Sequence, residues 1–190
     1  MNNLSHLPGL AAVSRILFLA TLAFSLSLTT AQAGELSADD TKAILARAEM
    51  VKVAFDKGDT DTIVKLTHPA IFKLTNGKEG FENITKQATT MISSMGIKIL
   101  ESSMGTPTKT YTAGASTVTF VPRTSVMSLK DKKIRTIGYL IAIKGGTEAP
   151  DWLFLDGAGL RGKPGLLKTL LPELPDDVKL PENKVEPVSE

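Results

Sequence analysis

The sequence predicts an α+β fold, three N-terminal helices followed by a curved antiparallel sheet, and three observations carry that expectation. Between residues 37 and 96 the apolar residues recur at spacings of three and four, the period of a helix with one buried stripe. Beyond Gly96 the period changes to two, which is the mark of strands. From Lys133 to Asp156 two β-rich apolar runs are parted by Gly145-Gly146-Thr147-Glu148-Ala149-Pro150, a hairpin signal. Helices first and strands afterwards is the order of a domain whose helices gather on one face of the sheet.

The first 33 residues are expected to stand outside that fold. Arg15 precedes an uncharged apolar run, Ile16 to Leu28, and Ala31-Gln32-Ala33 follows as a small-residue cleavage site. The run is shorter than the roughly 20 residues a spanning helix needs. A cleaved signal peptide over 1–33 therefore implies a periplasmic or secreted protein with no membrane association after cleavage.

Ser37 before Asp39-Asp40 reads as an N-cap with acids in the first turn, and Ile44, Ala48, Val51 and Phe55 then form one helical face that stops at Gly58. Asp59 caps a short second helix, Thr62 to Leu66, which Pro69 ends. Ile71 to Leu74 reads as extended. From Lys78 a third helix carries Phe81, Ile84, Ala88, Met91 and Met95 on one stripe, and Gly96 closes it.

Strands follow at Ile97–Glu101, Lys109–Thr112 and Ser116–Leu129. In the last of these Pro122 cannot donate to a ladder and marks an edge or a bulge. Ile137 to Ile143 has almost no polar residue on either side of its pleat, so it is expected to be covered on both faces. Helices cover one face; a second subunit is the economical cover for the other, and a homodimer is expected. Leu166 to Leu171 allows one or two helical turns. The domain is taken to run from 34 to 171, and residues 172–190, with four prolines and six acids, read as a disordered acidic tail.

Composition narrows function more by exclusion than by indication. A formal charge of +2 over 190 residues leaves no basic footprint for nucleic acid. The absence of cysteine removes disulfides, thiolate metal sites and a nucleophilic thiol together. Only His6 and His68 are histidines, so no metal centre is expected, and no cofactor motif with a supporting context is present.

Several short segments carry a family resemblance: Ala54-Phe55-Asp56-Lys57-Gly58-Asp59, Thr67-His68-Pro69, Gly77-Lys78-Glu79-Gly80-Phe81 and Trp152-Leu153-Phe154-Leu155-Asp156. On these the chain, over roughly residues 37 to 160, resembles the nuclear transport factor 2-like superfamily with its SnoaL-like and ketosteroid-isomerase-like branches. The resemblance implies a strongly curved sheet forming a cone whose interior is a pocket, often within a homodimer built on the outer face of the sheet. It implies no single chemistry, because function must be argued from the site. The isomerase branch's tyrosine and two acids have no residue-by-residue counterpart in this chain.

Trp152, Phe154 and Asp156 share one face of their strand and, with Tyr139, His68 and Phe72, are the candidate ligand-binding residues. Asp156 in an apolar pocket would be a general acid or base, or else it caps the turn before Gly157. His68 is an acid/base candidate or a loop residue fixing the step before Pro69. Tyr139, and Tyr111 with it, could donate to an oxyanion. Arg123 could recognise a carboxylate or serve as a charge on an edge strand. Three functions are open: non-catalytic binding of a small apolar or amphipathic molecule in the cone, a protein-binding or dimerisation module using the outer sheet face, and an acid/base enzyme of the isomerase or dehydratase kind.

Overall fold

A computed structural model describes residues 34–188 apart from 108, 131 and 164, so the expected signal peptide over 1–33 lies outside the described residues. Helix α1 (Ala38–Lys57) begins where the Ser37 hydroxyl accepts the Asp40 amide at 3.0 Å and ends at Gly58, whose φ of 66° is the left-handed cap geometry glycine favours. Helix α2 (Thr60–Leu66) is capped by Asp59, which accepts from both the amide and the hydroxyl of Thr62.

The expected extended piece at 71–74 is instead part of a 3-10 turn, Pro69–Leu74. Proline at its first position needs no amide partner there, and His68 caps it by accepting the Ala70 amide on Nδ1 at 3.2 Å. Helix α3 (Gly77–Ser94) follows and closes near Gly96, also left-handed.

The strands are β1 (Lys98–Met104), β2 (Thr110–Ala113), β3 (Ser116–Leu129), β4 (Lys132–Gly145) and β5 (Ala149–Asp156). After a 3-10 turn, Gly157–Leu160, come helix α4 (Gly165–Leu170) and a last strand β6 (Lys184–Pro187). Every pairing between these strands is antiparallel, in the order β1-β3-β4-β5; β2 lies beside the first part of β3 and β6 beside the first part of β4. The α+β class is thus established as helices followed by a strongly curved antiparallel sheet, a half-barrel.

Pro122 falls at the junction between the two partners of β3. The Gly105 amide donates to the Pro122 carbonyl at 2.7 Å, so the donor that proline lacks would have pointed at the gap where β1 gives way to β2. Arg123 is consequently on an inner strand, opposite Gly138 on one side and Met104 on the other, and its reading as an edge-strand charge is set aside.

The two faces of the central strands are buried by different parts of the chain. On the concave face Val121, Leu140, Ala142, Trp152 and Phe154 meet Ile44, Ala48 and Leu66 of the helices. On the convex face Phe120, Tyr139, Ile141 and Ile143 meet Leu167, Leu170, Leu171 and Leu174. Fully burying one such leucine contributes about 1.5–3 kcal/mol, so four of them make the C-terminal segment a structural layer.

That layer corrects the expectation of a disordered tail. Val178 and Leu180 pack against the same cluster, and β6 pairs with residues 134–137 of β4. The apolar residues are few but turns bring them onto one cluster, the Leu174 amide donating to the Leu171 carbonyl and the Val178 amide to the Pro175 carbonyl, and the prolines lower the entropy lost on ordering. The convex face for which a second subunit was expected is therefore covered by the chain's own C-terminal segment.

Candidate functional site

Helix α3 rests on α2 and the 3-10 turn and hardly touches the sheet. Its expected buried stripe is accordingly open: Ile84, Met91 and Met95 are 52%, 57% and 48% exposed, and Thr85 is the helix's one buried residue. The end of α1 behaves alike, with Val51 half-buried and Phe55 exposed where Ile44 and Ala48 are fully covered. Between this raised pair of helix surfaces and the edge of β5 lies a cavity of about 460 Å³, within the range that small-molecule sites occupy.

Its walls come from five directions, one of them the turn after β5 and helix α4, which contribute Leu160, Leu166 and Leu170. Val51 and Phe55 project from α1, Ile63 and Leu66 from α2, Phe81, Ile84 and Ala88 from α3, and Leu140 and Phe154 from the sheet. The three threonines among the lining residues do not make it polar. The hydroxyl of Thr67 donates to the Ile63 carbonyl at 2.7 Å, that of Thr85 to Phe81 at 2.8 Å and that of Thr89 to Thr85 at 3.1 Å. Each donor is already spent on its own helix, so their methyl groups form the wall.

Charge is confined to one end. Arg123 Nη2 donates to both oxygens of Asp156, at 3.2 and 3.1 Å, across β4 at the bare position Gly138. Asp156 also accepts the Ala158 amide at 2.8 Å and thereby caps the following 3-10 turn, so its reading as a turn residue and its place in the cavity wall both hold. Its neighbour must be small. A side chain at Gly157 would bring its Cβ to 2.6 Å from the Tyr139 ring. The Arg123 and Asp156 side chains are 24% and 43% exposed, which makes this a partly solvated ion pair.

Beyond that pair a second lobe of about 260 Å³ continues between the end of α1 and strands β1, β3 and β4. Val51, Phe55, Arg123, Asp156 and Ala158 belong to both lobes. The second lobe is more polar, with Ser102, Ser125, Thr136, Lys52, Asp56 and Arg161 on its walls. Arg161 is held from the C-terminal segment: its Nε donates to Asn183 Oδ1 at 3.0 Å, while Asn183 Nδ2 donates to the Gly157 carbonyl at 2.6 Å.

Of the six expected ligand-binding residues, Phe154 and Asp156 line the cavity. Trp152 shares their face but is sealed beneath α1, where its indole N–H donates to Asp40 at 3.0 Å and its carbonyl accepts from Arg47 at 2.7 Å. Lys144 bonds the same Asp40 carboxylate at 3.0 Å, and these two partners hold Asp40 below the usual carboxylate range. Phe72 stands behind the wall, its ring 5.5 Å from that of Phe81.

Tyr139 lies on the convex face, edge-on to Phe120 at 5.6 Å, with Tyr111 on the other side of that ring. Burial, and secondarily the charge of Asp156, raise the Tyr139 phenol above its ordinary value. His68 is buried in a separate cleft with Lys73 and Glu148, its amide donating to the Phe154 carbonyl at 2.8 Å. Burial lowers its pKa, in keeping with a neutral imidazole whose Nδ1 accepts.

The three acid/base candidates thus occupy three places: Asp156 in the cavity, Tyr139 behind the sheet and His68 in its own cleft. Sequence reasoning left out Val51, Phe55, the α3 wall and Arg161. For Val51, Phe55 and α3 the signal was present as apolar stripes, but a stripe reads as core until its partner layer is known; Arg161 sits in a loop with no such pattern.

Fold and site together define an α+β half-barrel holding an apolar cavity that ends at an arginine–aspartate pair. Comparison with protein families, with curated proteins and with solved structures gives no match. Among the described residues no helix is long and apolar enough to cross a membrane, and no group of three or more His, Cys, Asp or Glu side chains could hold a metal ion.

Proposed function

We propose that this protein binds a small apolar or amphipathic molecule in the cavity beneath α3 and performs no chemistry on it. The observation that carries the reading is a cavity of about 460 Å³ whose three lining threonines have spent their donors on the backbone. Away from its Arg123–Asp156 end such a wall offers area and no directional partner, so affinity there comes from water released off apolar surface. The half-barrel is compatible with the cone of nuclear transport factor 2-like proteins, and export directed by residues 1–33 belongs to the same proposal.

The test uses N-phenyl-1-naphthylamine, a neutral dye that fluoresces when taken out of water. Titration of the wild-type chain is expected to give a saturable signal at one dye per chain. Ala88→Trp, which fills the cavity from α3, is expected to abolish it while the circular dichroism of the fold is kept. Equal binding by the two proteins would contradict the assignment of the cavity.

A further inference from the structure

We infer that the molecule bound is an amphipathic anion, with its apolar body in the lobe beneath α3 and its carboxylate or sulfonate head at Arg123 and Arg161. This inference rests on the binding function proposed above and adds the chemical class of the ligand. The two lobes meet at Arg123, Asp156, Val51, Phe55 and Ala158, so a single elongated molecule passes from one to the other. Away from the shared Arg123–Asp156 junction the first lobe supplies hydrocarbon contact, whereas the second adds charged groups, its Ser102, Ser125 and Thr136 hydroxyls being bonded within the sheet.

The sign of that charge follows from pairing. Lys52 in the polar lobe has its acids, Glu49 at 2.8 Å and Asp56 at 3.8 Å. Asp156 has Arg123 and the Ala158 amide. Arg161 faces the lobe with a neutral amide, Asn183, as its recorded partner, and among the described residues no carboxylate pairs with it. Counting the described side chains that line the lobe, three cations, Lys52, Arg123 and Arg161, face two carboxylates, Asp56 and Asp156, and Arg161 is the cation without one.

Arg123 also keeps donors in reserve. Among the described residues only Nη2 is engaged, which leaves Nε and Nη1 to meet an incoming acid. A guanidinium fork matches a planar carboxylate or a sulfonate face, and the flat exposure of the Arg123–Asp156 pair makes its own bond inexpensive to rearrange. A cationic or neutral head would leave Arg161 without a charged partner.

The experiment compares decanoate, decanol and decylammonium by calorimetric titration against the full chain, below their micellar concentrations. Decanoate is expected to bind about tenfold more tightly than decanol, the worth of one charged hydrogen-bonded contact. Arg123→Gln and, independently, Arg161→Gln are expected to remove most of that preference for decanoate over decanol. Arg161 is exposed at a turn, so its variant reports even where the Arg123 variant unfolds. Equal affinity for decanoate and decanol, or a preference for decylammonium, would overturn the anionic assignment and leave the apolar site standing. Binding of none of the three would overturn both.

Discussion

At the residue scale the structure separates side chains that hold the fold from those available to a ligand. His68 belongs to the first group, buried with Nδ1 accepting from Ala70. Its folded pKa is lowered by burial, so the unfolded chain takes up the proton first as the medium is acidified. The stability His68 confers is complete above its unfolded pKa of about 6.5 and is lost as pH falls from there through the lowered folded value. Denaturant midpoints measured between pH 8 and 5 are expected to fall across that window, and His68→Asn, whose side chain can still cap the turn, is expected to flatten the decline. An unchanged slope in the variant would contradict the assignment. Several residue roles were legible in the sequence because they depend on neighbours in the chain: the Ser37 and Asp59 caps, the left-handed Gly58, and Asp156 as the start of a turn. The pairing of Asp156 with Arg123, 33 positions away, was not, because it depends on strand register.

At the scale of elements the helices and strands followed from periodicity, and the misreadings have one cause. Pattern tells which residues avoid water but not what covers them. The convex face of β4 was expected to need another subunit, yet Leu174, Val178 and Leu180 help cover it from a stretch whose acids and prolines suggested disorder. The α3 stripe was expected to be core, yet α3 stands clear of the sheet and its stripe becomes a cavity wall. Leu174→Ala is expected to destabilise the fold by about 2–5 kcal/mol, the cost of truncating a buried leucine. Removing residues 172–190 is expected to bare the convex face and convert the protein to self-associating species, read by light scattering behind size exclusion. A truncated chain as stable and as dispersed as the full one would show that the segment is not a layer of the fold.

At the scale of the whole molecule the half-barrel divides its apolar residues between a sealed layer and an open one. The convex face is closed by the chain's end, whereas the concave face is closed by α1 only near Trp152 and gives way to empty volume beneath α3. This division is the central claim, and isoleucine methyl groups report on both sides of it. Ile63 and Ile84 line the cavity, while Ile141 and Ile143 lie in the sealed layer. The most direct measurement is the methyl carbon–proton spectrum of the isoleucine-labelled protein titrated with decanol. The account predicts that the Ile63 and Ile84 methyls shift progressively to saturation while those of Ile141 and Ile143 stay in place; no shift in the first two, or equal shifts in all four, would contradict it.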